Sequence, residues 1–147
     1  MPTDIKEISR RVTEDVWNQR KLEAVDELVA ADYVHHDPNS QDFEKGPKGY
    51  RELIRRYLTA FSDLNFTIHE QIAEGDTVVS RWTATGTHNG ELSGIAPTGR
   101  RFEVTGTTTA RVRQGKFAES WSNWDALGLM QQLGVVPAVD QAKGRAA

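Results

Sequence analysis

The sequence of 147 residues contains no cysteine, which excludes disulfide bonds, thiolate metal ligands and thiol nucleophiles. No apolar run is long enough to span a bilayer, and the first residues lack the basic segment and apolar stretch of a secretory signal. We therefore expect a cytoplasmic protein that does not associate with membranes.

The chain also lacks any segment in which Lys or Arg accumulates without Asp or Glu between them, and its net charge is −3. A nucleic-acid-binding protein usually carries a basic patch that neutralises phosphates. A basic amphipathic helix at a membrane surface needs the same accumulation. The charge pattern therefore predicts no nucleic-acid partner and no membrane partner.

What is present in the first half is helical periodicity. Asp4 followed by Glu7 resembles a capping box, and apolar residues then recur at helical spacing to about Gln19. A shorter second helix is predicted over 22–29, and an extended segment over 32–38. A third helix opens at Gly46-Pro47; its buried stripe consists of Tyr50, Leu53, Ile54, Tyr57, Leu58 and Phe61.

The second half has the punctuation of β-hairpins. Tight-turn signals at 74–76, 89–90 and 114–115 separate segments rich in Val, Thr, Phe and Trp. They predict strands over 65–73, 77–88, 101–113 and 116–124, and a short piece near Leu92 that pairs beside the second of them. A last helix over 126–133 should end at Gly134. The residues after Pro137 are polar and small, and we expect them to be disordered.

Helices followed by long strands predict an α+β fold in which a strongly curved antiparallel sheet wraps around the N-terminal helices. Helices rarely fill such a cone, so a pocket for a hydrophobic small molecule should remain between sheet and helices. We expect residues 1–136 to form one domain and residues 137–147 to form a tail.

Six segments of this chain, in this order and spacing, resemble the SnoaL-like polyketide cyclases, or ester cyclases, of the nuclear-transport-factor-2-like superfamily. The resemblance implies a cone-shaped α+β barrel with a buried pocket, often found as a homodimer, and chemistry without a cofactor. The segments are Asp32-Tyr33-Val34-His35-His36-Asp37-Pro38, Gly46-Pro47-Lys48-Gly49, Gly86-Thr87-His88-Asn89-Gly90-Glu91, Pro97-Thr98-Gly99-Arg100-Arg101, Gly115-Lys116 and Gln132-Leu133-Gly134.

The family's chemistry rests on a His and an Asp that face inward from the last two long strands and move a proton during an intramolecular aldol closure. By the resemblance, those positions fall on Thr108 and Ser122. An isolated hydroxyl holds its proton too tightly to act as a base near pH 7. The resemblance thus implies an acid/base enzyme for a hydrophobic carbonyl or polyketide-like compound, by cyclisation, isomerisation or hydrolysis, with other groups as the base.

Two other functions stay open at this stage. The first is a non-catalytic pocket that binds or carries such a molecule. The second is epoxide hydrolysis, because relatives in the superfamily use an Arg and two Asp for that reaction. Arg81, on the second long strand, would supply the Arg, and no second Asp is evident beside Asp125.

Asp125 and His36 are the candidate catalytic residues. Asp125 follows the last strand, where it either accepts a proton at the pocket floor or caps the final helix. Only one of His35 and His36 can face inward, and the resemblance favours His36, as a base or as a structural histidine. The run His35-His36-Asp37 lacks metal-ligand spacing, so no metal site is predicted.

The remaining candidates are ligand-binding residues. If Thr108 faces the pocket, strand alternation places Ser120, Ser122 and Trp124 of the next strand on that same face. An inward-facing Arg81 would bind a carboxylate or an enolate oxygen, whereas an outward-facing one would belong to a dimer surface. The full predicted ligand-binding set is Tyr33, Arg81, Thr108, Ser122, Asn123 and Trp124.

Overall fold

The computed structural model describes residues 4–40 and 42–137. Its N-terminal part is helical: α1 (Ile5–Arg11) continues as a π-helical stretch (Val12–Asn18), and a short 3₁₀ turn (Leu22–Ala24) leads into α2 (Val25–Leu28). Asp4 caps α1 by accepting a hydrogen bond from the amide of Lys6. The two predicted N-terminal helices are confirmed, the second being one residue shorter at its C-terminal end.

The longest helix is α3 (Gly46–Ala60), which opens with Pro47 in its first turn as predicted. Its inward face carries Tyr50, Leu53 and Ile54, which are buried against the N-terminal helices and the sheet. The last helix, α4 (Ala126–Leu133), ends at Gly134, whose φ of 82° is the left-handed conformation of a C-terminal cap. None of the described helices is long and apolar enough to cross a membrane.

Five strands form one curved sheet in the order β1-β5-β4-β3-β2. The four long strands lie where the turn signals predicted them; their bounds are Asn65–Glu74 for β2, Thr77–Thr87 for β3, Arg101–Arg113 for β4 and Lys116–Trp124 for β5. They pair as consecutive antiparallel neighbours. The predicted α+β fold with a curved sheet is therefore confirmed.

The strand β1 (Val29–His36) departs from the antiparallel pattern. It lies parallel to β5, with Val34, His35 and His36 opposite Glu119, Ser120 and Trp121, and the register shifts between Val29 and Val34. The predicted extended segment over 32–38 is thus the C-terminal part of a longer strand and its exit. This pairing brings the end of β1 beside the middle of β5.

The prediction that a segment near Leu92 pairs beside the second long strand is wrong. Leu92 instead forms an isolated antiparallel bridge with Ile95. The intervening Ser93 and Gly94 both have positive φ, 48° and 86°, and turn the chain back on itself. Both edges of β3 are already paired, with β2 and with β4. The predicted disorder after Pro137 lies outside the described residues.

Candidate functional site

A cavity of about 120 Å³ lies between the sheet and the helices. Its walls are mostly aromatic and aliphatic side chains from α3, α4, the π-helical stretch and the sheet. An apolar wall with a few polar groups is typical of a small-molecule site. The polar and charged residues of the lining are Ser9, Thr13, His35, Asp37, Thr108, Ser120 and Ser122.

Three tryptophans line the cavity, and each donates its indole N–H to another residue of the lining. The three hydrogen bonds are Trp17 to the Tyr50 hydroxyl (2.9 Å), Trp82 to Thr108 Oγ1 (3.0 Å) and Trp124 to Asp37 Oδ2 (2.9 Å). An indole N–H buried without a partner would cost free energy, and here each bond also fixes a polar group in place.

His35 is the imidazole of the cavity. The parallel pairing of β1 with β5 sets it opposite Ser120, so that its Nδ1 lies 3.1 Å from the Tyr33 hydroxyl and 3.3 Å from Ser120 Oγ. Those two hydroxyls are themselves 2.5 Å apart. Among the described residues, Nε2 of His35 has no hydrogen-bond partner.

Burial lowers the pKa of His35 below its ordinary value, because the charged imidazolium loses hydration. The nearby Asp37 carboxylate opposes that shift, and His36 adds to it. His35 is therefore neutral near pH 7, and a neutral imidazole can accept a proton. When Nδ1–H donates to Tyr33 or Ser120, the lone pair of Nε2 is left unused.

Asp37 is the one carboxylate that lines the cavity among the described residues. It follows β1 directly, and its two carboxylate oxygens accept from Trp124 Nε1 at 2.9 Å and from the amide of Asn39 at 2.8 Å. Its negative charge also acts on Tyr57, whose pKa is raised mainly by burial and, to a smaller extent, by Asp37. The two hydrogen bonds therefore fix the position of this carboxylate in the cavity wall.

Thr108 on β4 and Ser122 on β5 are cross-strand neighbours that both face the cavity. Their hydroxyl oxygens are 3.1 Å apart, and Thr108 also accepts from the indole N–H of Trp82. Neither hydroxyl is an acid or a base near pH 7, so this pair can only donate and accept hydrogen bonds. The structure also places Trp124 in the lining, whereas Tyr33 is buried behind it and bonded to Ser120.

The expectation that His36 faces the pocket is wrong. His36 is exposed on the other side of β1, where Nε2 lies 2.7 Å from Glu119 and its ring stacks on Trp121. Successive residues of a strand point to opposite faces, and the β1–β5 register gives His35 the inner one.

Three further site assignments, those of Asp125, Arg81 and Asn123, are wrong; for the first two the structure supports the alternative that the sequence left open, a helix cap and an outward-facing side chain. Asp125 is exposed, and its side chain accepts from the Gly128 amide at 2.8 Å, so it caps α4 instead of facing the cavity. Arg81 is exposed and pairs with Glu70 at 2.8 Å. Asn123 is exposed and lies outside the lining.

Sequence reasoning therefore missed His35 and Asp37 as site residues. The signal that could have found them is their parity with Tyr33, which the sequence analysis places in the ligand-binding set. Period-two alternation carries the inner face from Tyr33 to His35, and Asp37 continues it beyond the end of the strand.

The chain is similar in sequence and in fold to known proteins. The family described as "SnoaL-like polyketide cyclase" matches residues 7–133. The nogalonic acid methyl ester cyclase of Streptomyces nogalater is 29% identical over 119 residues, which are 80% of this chain and 89% of the relative. The aklanonic acid methyl ester cyclase DnrD of Streptomyces peucetius is 28% identical over 140 residues, 91% of this chain and 92% of the relative.

Among solved structures, TsrD from Streptomyces laurentii superimposes with a TM-score of 0.81 at 30% sequence identity. The match covers 92% of this chain and all of that one, at 100%. The two chains therefore share the fold over nearly their whole length.

Proposed function

Because this chain belongs to the SnoaL-like polyketide cyclase family, we propose that it is a cofactor-independent enzyme that moves protons on a hydrophobic, polyketide-like carbonyl compound. The observation that carries the proposal is His35, a neutral imidazole in the wall of a mostly apolar cavity, in which Nδ1 has hydrogen-bond partners and Nε2 has none among the described residues. A general base needs a lone pair, a pKa near or below the working pH and access to the ligand.

In the proposed step, Nε2 of His35 takes a proton from a carbon α to a ligand carbonyl. The electrons of the C–H bond form a C=C bond, and the carbonyl oxygen becomes an enolate oxygen. The enolate carbon then attacks a second carbonyl of the same molecule, and the new alkoxide takes the proton from the imidazolium. The product is an isomer of the substrate, so the step needs no co-reactant.

Asp37 assists this step by its charge. When His35 takes up the proton it becomes a cation, and the Asp37 carboxylate favours that cation, as its effect on the His35 pKa indicates. The Trp124 N–H and the Asn39 amide hold the carboxylate in position. Asp37 is thus a positioning and electrostatic residue beside the base.

Epoxide hydrolysis by an Arg and two Asp has little support in this cavity. Arg81 is bound to Glu70 outside it, and Asp37 is the single carboxylate in the lining formed by the described residues. A carrier function is the competing outcome of the experiment below.

The test uses the methyl esters that the two relatives are named for, nogalonic acid methyl ester and aklanonic acid methyl ester. Wild-type protein should convert at least one of them to a product of unchanged mass and altered chromatographic retention. His35→Gln should lower kcat roughly 10²- to 10⁴-fold, the usual contribution of a general base. The matched control His36→Gln removes the exposed neighbour and should keep wild-type turnover.

Equal turnover by His35→Gln and wild type would exclude His35 as the base. Tight binding of both esters without any conversion would instead support a carrier. Ligand binding is measured separately by quenching of tryptophan fluorescence, since three tryptophans line the cavity.

A further inference from the structure

The end of the cavity beyond Ser120 holds three polar groups in a row. Trp82 is 9% exposed and donates its N–H to Thr108 Oγ1 at 3.0 Å, and Thr108 contacts Ser122 Oγ at 3.1 Å. No other hydrogen bond of these two hydroxyls occurs among the described residues. The row therefore ends at the cavity rather than at another protein group.

A count of protons shows what this row can offer a ligand. The two hydroxyls bring two protons, and the contact between them uses one, whichever of the two donates. The indole N–H of Trp82 is itself a donor to Thr108 Oγ1, so it does not use the second hydroxyl proton. One O–H is left to donate, and the indole N–H behind it strengthens it by polarisation.

The position of this donor relative to His35 follows from the strand. Ser120 contacts His35, and Ser122 lies two residues further along β5 on the same face, which is about 7 Å of strand rise. In a carbonyl compound the α carbon is two bonds from the oxygen. With one contact of about 3 Å from the base to that carbon and another from the donor to the oxygen, the ligand bridges a distance similar to this rise. The spacing therefore suits a base at the carbon and a donor at the oxygen.

We propose that Thr108 and Ser122, supported by Trp82, form the site that binds the ligand's carbonyl oxygen and stabilises the enolate formed there. The inference rests on the proposed function in that it takes the ligand to be a carbonyl compound. Thr108 and Ser122, at the positions where the resemblance places the family's His and Asp, would then donate a hydrogen bond to the ligand oxygen, while His35 accepts the proton. A preorganised donor of this kind lowers the barrier where negative charge develops.

The test uses acetophenone labelled with ¹³C in its carbonyl group, a probe that can accept but not donate through oxygen. In wild type, the infrared carbonyl band of bound acetophenone should move to lower wavenumber than in an apolar solvent. Thr108→Val and Ser122→Ala should each reverse much of that shift and weaken binding roughly three- to tenfold, as expected for one hydrogen bond. Trp82→Phe should reverse part of the shift.

Thr107→Val is the matched control, because Thr107 is the neighbouring threonine of β4 but exposed on the outer face. It should leave both the carbonyl band and the affinity for acetophenone unchanged. An unshifted band in wild type, a band that is the same in all variants, or no binding at millimolar acetophenone would overturn the proposal. Because the band needs no turnover, a carrier without activity would still show it, and an enzyme with a different oxygen site would not.

Discussion

Gly106 on β4 lies between its two cross-strand neighbours, Trp82 on β3 and Trp124 on β5, whose side chains pack over it. A Cβ at this position would lie 2.6 Å from Cζ2 of Trp82 and 2.7 Å from Cβ of Trp124. Carbon atoms pack at about 3.5–4.0 Å, so Gly106→Ala requires a displacement of about 1 Å. Neither indole is free to move, because Trp82 is bonded to Thr108 and Trp124 to Asp37.

The expected cost combines two effects. Overpacking of this size costs about 1–3 kcal/mol, and breaking one of the two indole hydrogen bonds costs about 1 kcal/mol more. Alanine also lowers the conformational entropy of the unfolded chain, which offsets about 0.4–1 kcal/mol of this destabilisation. We therefore expect Gly106→Ala to lower the free energy of unfolding by about 1–3.5 kcal/mol.

Urea unfolding followed by tryptophan fluorescence measures this change, and near-ultraviolet circular dichroism reports whether the indoles have moved. Acetophenone binding should weaken in the same variant, because Trp82 supports the oxygen site. An alanine variant with wild-type stability and an unchanged aromatic spectrum would refute the close contact between β4 and the two indoles.

Four more predictions concern three side chains, His35, Asp125 and Arg81. The pKa of His35 is lowered from its ordinary value of 6.5, so kcat/KM should begin to fall only when the pH drops below 6.5. A pH–rate profile measures this, and His36→Gln, which lacks the exposed histidine, should give the same profile as wild type. The unfolded state binds the proton first, so the free energy of unfolding should also fall as pH drops from 6.5 through the folded pKa, and His35→Gln should lack this loss in urea titrations. Asp125→Ala should cost about 1 kcal/mol in thermal or urea unfolding with full turnover, because it removes only the cap on Gly128; lost turnover at intact fold would contradict this. Arg81→Gln should change stability by less than about 0.5 kcal/mol and leave turnover intact, since Arg81 and Glu70 are 54% and 56% exposed; a tenfold loss of activity would place Arg81 in the reaction.

The order of elements could be predicted because local signals agree with the fold. The turns at Gly75 and Gly115 have φ of 61° and 76°, which glycine adopts without strain, and they fix the ends of the hairpin strands. Strand alternation likewise brought Thr108, Ser120, Ser122 and Trp124 to one face. These inferences need only neighbouring residues along one strand or across one hairpin.

The site at the end of β1 could not be predicted in the same way. Its inner face depends on a parallel pairing with β5, which joins residues more than eighty positions apart and contains a register shift. Val34, an apolar residue, lies on the side of the exposed His36, so local hydrophobicity does not indicate which histidine is inside. Asp125 illustrates the opposite case, because the helix cap was an open alternative from its position alone and its contact with Gly128 is that of a cap.

Proton abstraction by His35 is tested most directly by incubating nogalonic acid methyl ester with the protein in D₂O and measuring deuterium in the unconverted ester by mass spectrometry. Wild type should incorporate deuterium at the carbon next to the reacting carbonyl faster than buffer alone, because the imidazolium exchanges its proton with solvent before returning it. His35→Gln should show only the buffer rate. Incorporation by His35→Gln at the wild-type rate would contradict the assignment of His35 as the base.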